Sequence, residues 1–278
     1  MSGPTSYFSI KNMDGDNKTF IDAMNRNTMR RSVAEYAWSD DLTPPERAGL
    51  ALVAAEARNK PILDLGIGAG RTVRALMDIS KNYVGVDYVP EMVTACCKRF
   101  PDVHFMQADA RNLSQFGDNS FFLIVFSMNG VCMVNHEGRI AILKEVHRLL
   151  ETGGAFLFST YNRNSSNYEA FFRFPNFQPT KNAMTFLVRG FRFFFHTGIS
   201  VVNRIRFRRT EQRFSEYSII NDACHDYATM LYYASLENHY SQLESIGFSG
   251  VTAFDLAGGK IMAGTRDDSI TFLARKQC

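Results

Sequence analysis

The chain lacks the cysteine spacing of a zinc site or a disulfide framework. Its five cysteines, Cys96, Cys97, Cys132, Cys224 and Cys278, are odd in number and scattered. That points to reduced thiols in a cytoplasmic protein, with no metal expected. The three-cysteine cluster that would hold an iron–sulfur centre is missing as well. No apolar run is long enough to span a bilayer, and the aromatic run Phe191 to Phe195 is short and flanked by Arg189, Arg192 and His196. Residues 1–17 are polar and lack the apolar core of a secretory signal. No membrane partner is expected on these grounds. A net charge of +3 lacks the basic excess that marks a nucleic-acid binder by itself. No Gly-Lys-Ser/Thr follows a glycine turn, which excludes a P-loop.

What is present is an alternation of short apolar runs and helical stretches. Residues 1–17 read as a loose arm, and Lys18 to about Trp38 as a helix. Thr43-Pro44-Pro45-Glu46 is a helix start, with Thr43 as N-cap and Glu46 at the capping-box position. Strands follow at Ile62–Leu65, Tyr83–Asp87, Val103–Gln107, Phe121–Phe126 and Ala155–Ser159, with helices between them. Phe121–Phe126 is apolar throughout, as a central parallel strand buried on both faces should be. This rhythm predicts an α/β fold with a mostly parallel sheet of right-handed crossovers. It stops at Tyr161. Residues 161–234 hold many of the unusually numerous phenylalanines, and the segments Ile199–Val201, Ile205–Arg208 and Phe214–Ile220 read as antiparallel strands with aromatic and arginine side chains on opposite faces. They are expected to form an inserted cap. A helix Ser235–Ile246 and strands Val251–Leu256 and Ile270–Ala274 return the chain to the core, the last pair antiparallel around the loop 255–268.

The stretch Asp64-Leu65-Gly66-Ile67-Gly68-Ala69-Gly70 carries the chemistry. It turns the first strand into a helix at the edge where such sheets bind nucleosides. Alternate glycines permit the sharp turn and a ligand close to the backbone. Asp87 ends the second strand about twenty residues on, where a carboxylate can accept bonds from both hydroxyls of a ribose. Asp109 follows the third strand, within reach of an adenine amino group. A dinucleotide fingerprint fits poorly: its third glycine position holds Arg71, and Gly70 comes early.

At this point the chain resembles the class I S-adenosylmethionine-dependent methyltransferases, of the kind that act on small molecules. The resemblance rests on Leu63 to Gly70, Gly85-Val86-Asp87-Tyr88, Gln107-Ala108-Asp109-Ala110, Phe126-Ser127-Met128-Asn129, and Glu145 to Gly154. It covers residues 43–159 and 236–276. It implies a Rossmann-like, seven-stranded sheet with a reversed last strand, and S-adenosylmethionine as methyl donor. By position, Asp64, Gly66, Gly68 and Gly70 would face the methionine part of the cofactor. Asp87 would hold the ribose, Tyr88 would flank the adenine, and Asp109 and Ala110 would address the adenine edge. Ser127, Met128 and Asn129 would line the reaction site. The implied division is an N-terminal arm and lid helix (1–42), a cofactor-binding core (43–160 and 235–278) and the cap (161–234).

The cap should then select the methyl acceptor. His225 is the candidate general base, with Tyr217 or Tyr227 orienting the acceptor and Asn221 and Tyr161 beside it. Against this, Asn221-Asp222 also has the form of an N-cap pair, with His225 satisfying a helix end. Tyr36 and Trp38 are candidates for a lid over the site. The expected reaction is methyl transfer to N or O of a small, amino-acid-like or aromatic acceptor. The alternatives are an RNA- or protein-directed enzyme using Arg204, Arg206, Arg208 and Arg209, or a non-catalytic cofactor-binding protein. Nucleic acid is disfavoured because Glu211 and Glu216 balance that arginine cluster. The aromatic-rich cap is also a candidate homodimer surface.

Overall fold

The computed structural model describes residues 17–33, 40–168, 170–177 and 179–277. Tyr36, Trp38 and Cys278 lie outside the described residues. The strands are β1 (Ile62–Leu65), β2 (Tyr83–Asp87), β3 (Phe105–Gln107), β4 (Phe121–Phe126), β5 (Leu150–Asn162), β6 (Gln212–Arg213), β7 (Tyr217–Asp222), β8 (Thr229–Ala234), β9 (Phe248–Phe254) and β10 (Ser269–Lys276). The helices are α1 (Asn17–Arg31), α2 (Pro44–Ala57), α3 (Val73–Ile79), α4 (Pro90–Arg99), α5 (His136–Leu149), α6 (Ala183–Phe207) and α7 (Leu236–Ile246).

The core has the expected architecture. β3, β2, β1, β4 and β5 run parallel in that spatial order, β10 pairs antiparallel with β5, and β9 with β10. Every residue of β1 and β4 is buried, as their unbroken apolar runs require. The capping box at α2 forms as read: the Glu46 amide donates to Thr43 Oγ1, and the Thr43 amide donates to Glu46 Oε2 at 2.7 Å. Gly247, at φ 106°, ends α7 in a left-handed turn.

The cap differs from its sequence reading. The segments at 199–201 and 205–208 are not strands; they belong to α6, which is 25 residues long. Asn182 caps it, accepting from the Thr185 amide at 3.0 Å. The polar residues His196, Ser200, Asn203 and Arg204 recur at helical spacing and hydrogen-bond into the protein. A period-2 reading of Arg204, Arg206 and Arg208 misses this because arginine alternation persists over only a few residues. β7 starts at Tyr217 rather than Phe214, and pairs with β8 through six residue pairs. β8 joins the upper end of β5 at Tyr161 and Asn162, so the cap strands extend the same sheet.

Candidate functional site

The glycine loop after β1 passes over the carboxyl ends of β1 and β2. Gly66, Gly68 and Gly70 have φ values of 60°, 54° and 86°, the left-handed region that glycine alone enters without strain. At Gly66 there is a second constraint: a Cβ would stand 2.6 Å from Phe126 Cε2. At Gly70 a Cβ would stand 2.7 Å from Phe100 Cε2, so this glycine serves the packing of the turn on α4. Arg71, at the position a dinucleotide site would give to glycine, turns away to make a bidentate pair with Glu46 at 2.8 and 2.6 Å. That pair clamps the loop to the start of α2.

Asp87 is buried at the end of β2. Its Oδ2 accepts from the Gly68 amide at 3.0 Å and its Oδ1 from the Val89 amide at 2.9 Å. Burial pushes its pKa up to about 6, against the lowering effect of the backbone amides of Val89, Gly68 and Tyr88. A carboxylate has about four acceptor sites, so three amides leave capacity for a further donor. Asp87 lines a cavity of about 50 Å³ with Gly66, Tyr88, Asp109 and Ala110. Five residues assigned to the cofactor thus meet at one place.

The opposite wall comes from residues that the sequence reading missed. Asp22 on α1 and Arg111 face each other across the cavity mouth, and Arg111 also forks onto Asp109 at 2.9, 3.1 and 2.6 Å. Arg26 donates to the Tyr88 carbonyl at 2.9 Å and lies over the Tyr88 ring. Burial raises the Asp109 pKa, but the hydrogen bonds and charge of Arg111 outweigh it and hold the carboxyl below its usual range. Asp109 therefore stands as a partner of Arg111. Nothing in the strand-and-helix rhythm marks Asp22, Arg26 or Arg111; only the docking of α1 over the strand ends brings them in. The cavity is smaller than the roughly 300 Å³ at the low end of ligand pockets.

Asp64, Gly68 and Gly70 are not cavity walls. Asp64 is fully buried under the loop, where Oδ2 accepts from Thr72 Oγ1 at 2.5 Å and from the Tyr83 hydroxyl at 2.9 Å. Its Oδ1 has no hydrogen-bond partner, and burial raises its pKa to about 6. Ser127 Oγ is also buried without a hydrogen bond of good geometry, though it stands by the Glu46 carboxylate. A glycine loop beside a carboxylate with spare acceptor capacity fits a polar ligand with a diol.

Residues 62–154 match the methyltransferase domain family. The demethylmenaquinone methyltransferase of Chlorobaculum tepidum is 31% identical over 98 residues, 35% of this chain and 39% of that protein. The chain thus spans well under half the length of this curated relative. The CcbJ methyltransferase of Streptomyces caelestis has a TM-score of 0.59 at 15% identity, covering 92% of this chain and 98% of that one. The 1,6-didemethyltoxoflavin-N1-methyltransferase of Burkholderia thailandensis, solved with 1,6-didemethyltoxoflavin and S-adenosylhomocysteine, has a TM-score of 0.58 at 14% identity, covering 98% of both chains. The fold is that of the class I S-adenosylmethionine-dependent methyltransferases.

The residues expected beside the methyl acceptor fall in different surroundings. Met128 and Asn129 follow β4 with φ values of 51° and 59°, and the Asn129 amide donates to Ser159 Oγ at 2.8 Å. Tyr161 stacks on Tyr233, and its hydroxyl lies 3.3 Å from Cys224 Sγ. His225, Asp226 and Tyr227 form a run of three left-handed residues, φ 51°, 55° and 59°, which no helix cap explains. Each such non-glycine residue costs on the order of 1–2 kcal/mol, so the loop is held in place by its surroundings. His225 Nδ1 lies 3.1 Å from Ser32 Oγ, just after α1.

Three expectations are corrected. Tyr217 stacks on His136 and Tyr232 at the far end of β7 from His225. Six strand residues separate the two, roughly 17 Å, so they do not act as a pair. Asn221 is buried, and its amide donates to the Tyr227 and Thr229 carbonyls at 2.8 and 3.1 Å, closing the left-handed loop. Tyr227 is buried too, stacked on Phe172, with its hydroxyl accepting from the Arg173 amide. Both hold the loop from within.

Proposed function

We propose that the chain transfers a methyl group from S-adenosylmethionine to nitrogen or oxygen of a small, amino-acid-like or aromatic molecule. The observation that carries this reading is Asp87. It is a buried carboxylate at the end of β2, pinned by two loop amides and lining a cavity with Gly66 and Tyr88. Asp87 would hold the ribose hydroxyls and Tyr88 and Ala110 the adenine. S-adenosylmethionine supplies a methyl group already activated by a sulfonium, so the protein's task is to hold the acceptor in line and exclude water. Orientation of that kind supplies on the order of 7–11 kcal/mol when ideal.

The residues proposed to meet the acceptor are Asn129, Tyr161 and the loop 225–227, with the 161–234 segment as the substrate region and residues 1–42 as arm and lid. An amine acceptor needs only to arrive deprotonated, whereas a hydroxyl acceptor needs a base, for which His225 is the candidate. The names of the demethylmenaquinone and toxoflavin enzymes support a small-molecule acceptor.

Titration calorimetry with S-adenosylhomocysteine tests the donor site. The unmutated chain should bind, and Asp87→Ala should weaken binding about 10–100-fold through loss of charge-assisted hydrogen bonds. Absence of binding by the unmutated chain would refute the proposal. Labelled S-adenosylmethionine incubated with fractionated metabolites would then identify the acceptor.

A further inference from the structure

Helix α6 has its polarity reversed relative to a core helix. Its polar stripe faces the protein: His196 and Ser200 bond to the Asp226 carboxylate, Asn203 to the Asp226 carbonyl, and Arg204 to the Asn221 carbonyl. At 100° per residue, Met184, Leu187, Phe191, Phe194, Val202 and Ile205 fall on the opposite side as one ridge. That ridge faces solvent, with Phe191, Phe194 and Ile205 at 73%, 74% and 69% exposure. A continuous apolar ridge of this length marks a docking surface.

The charge around the ridge says what docks there. Residues 170–210 contain eight lysines and arginines and not one aspartate or glutamate. Arg173 and Arg204 turn inward to Asp222 and Glu211. Lys181, Arg189, Arg192, Arg206, Arg208 and Arg209 are exposed. Arg192 and Arg206 flank the ridge along one side. Beside α6 lies an open groove of about 740 Å³, walled by Phe171, Phe174, Val201 and Ile205 and bordered by Arg208 and Arg209. An apolar slot bordered by guanidiniums matches an acyl chain beneath an anionic headgroup. A second copy of the chain is a poor occupant, because a two-fold contact would lay this acid-free, cationic face against itself.

We propose that α6 lies flat on an anionic lipid surface, with its ridge in the acyl boundary and the arginines at the headgroups. No helix among the described residues is long and apolar enough to cross a membrane, and α6 does not need to be. The sequence expectation of no membrane partner rested on run length, whereas a helix in the interface needs a face. Docking places the left-handed loop gripped by α6 next to the membrane.

The test is flotation of the full chain with vesicles of phosphatidylcholine alone and of an equal mixture with phosphatidylglycerol. The unmutated chain should float with the anionic vesicles and not with the neutral ones. Phe191→Ser/Phe194→Ser/Ile205→Ser should abolish flotation. Arg192→Glu/Arg206→Glu should lower partitioning at least about thirtyfold. These side chains are exposed, so circular dichroism and thermal unfolding should be unchanged in both variants. Failure of the unmutated chain to float, or equal flotation of the variants, would overturn the proposal. A dimer in analytical ultracentrifugation that the serine variant dissociates, without vesicle binding, would assign the face to a second copy instead. Methyl transfer enters none of these readouts, so the two proposals fail separately.

Discussion

On the proposed function, Asp87 would couple cofactor binding to pH. Its pKa is raised from 3.8 to about 6 because burial disfavours the charged form. Between those values the folded chain holds a proton that the unfolded chain has released, so this group's contribution to stability is greatest at low pH and declines as pH rises through about 6. Binding moves the other way, since only the ionised carboxylate accepts from both ribose hydroxyls. Affinity for S-adenosylhomocysteine should be flat above pH 6 and fall up to about tenfold per pH unit below it. Asp87→Asn should bind more weakly and lose most of that slope. Asp64 titrates in the same range, but it is not a cavity wall, so an unchanged slope in Asp87→Asn would remove Asp87 from the binding equilibrium. Asp87 and Gly66 were legible in the sequence because their chemistry is local: an acid at a strand end and glycines in a turn. The packing of Asn221 and Tyr227 against their own loop was not legible, for a converse reason. A polar or aromatic residue in a loop serves a ligand or the backbone depending on which way it points, and only the fold decides that.

Helix α6 depends on Arg204. This guanidinium is nearly buried, bonds the Phe171 and Asn221 carbonyls at 2.9 and 2.8 Å, and pairs with Glu211 at 2.5 Å. Arg204→Met keeps the length and removes the charge, which leaves Glu211 buried beside Arg213 alone. Breaking such a pair costs about 3 kcal/mol, toward the low end because Arg213 remains. Urea denaturation should show that loss, and a change below about 0.5 kcal/mol would mean that α6 is held chiefly by other contacts. The sequence hid this element. Read as strands, the arginines and aromatics alternated across a sheet; wound as a helix, they separate into an inward polar stripe and an outward apolar ridge. The four-residue windows that suggested strands were too short to reveal a 3.6-residue period.

Across the whole molecule, β5 joins the core to the cap. Its lower part pairs with β4 and β10, and its last residues, Tyr161 and Asn162, pair with β8. One apolar cluster runs from Leu63 and Phe126 in the core to Ile219, Met230 and Tyr232 in the cap. Core and cap should therefore unfold together. In urea, far-ultraviolet dichroism and the near-ultraviolet signal of the tyrosines at 161, 168 and 233 should report one coincident transition. Two separate midpoints would show that the cap is an independent unit.

The sequence by itself determined the parallel core, the capped α2, the glycine loop and the acid at the end of β2. Each is specified within one strand–turn–helix unit, where periodicity, turn geometry and strand-end position act over a few residues. The tertiary structure alone decided the rest: that α1 brings Asp22 and Arg26 over the cavity, that β7 holds Tyr217 far from His225, and that α6 turns its apolar ridge outward. Those outcomes depend on contacts between residues tens to hundreds of positions apart, whose energies no local pattern contains.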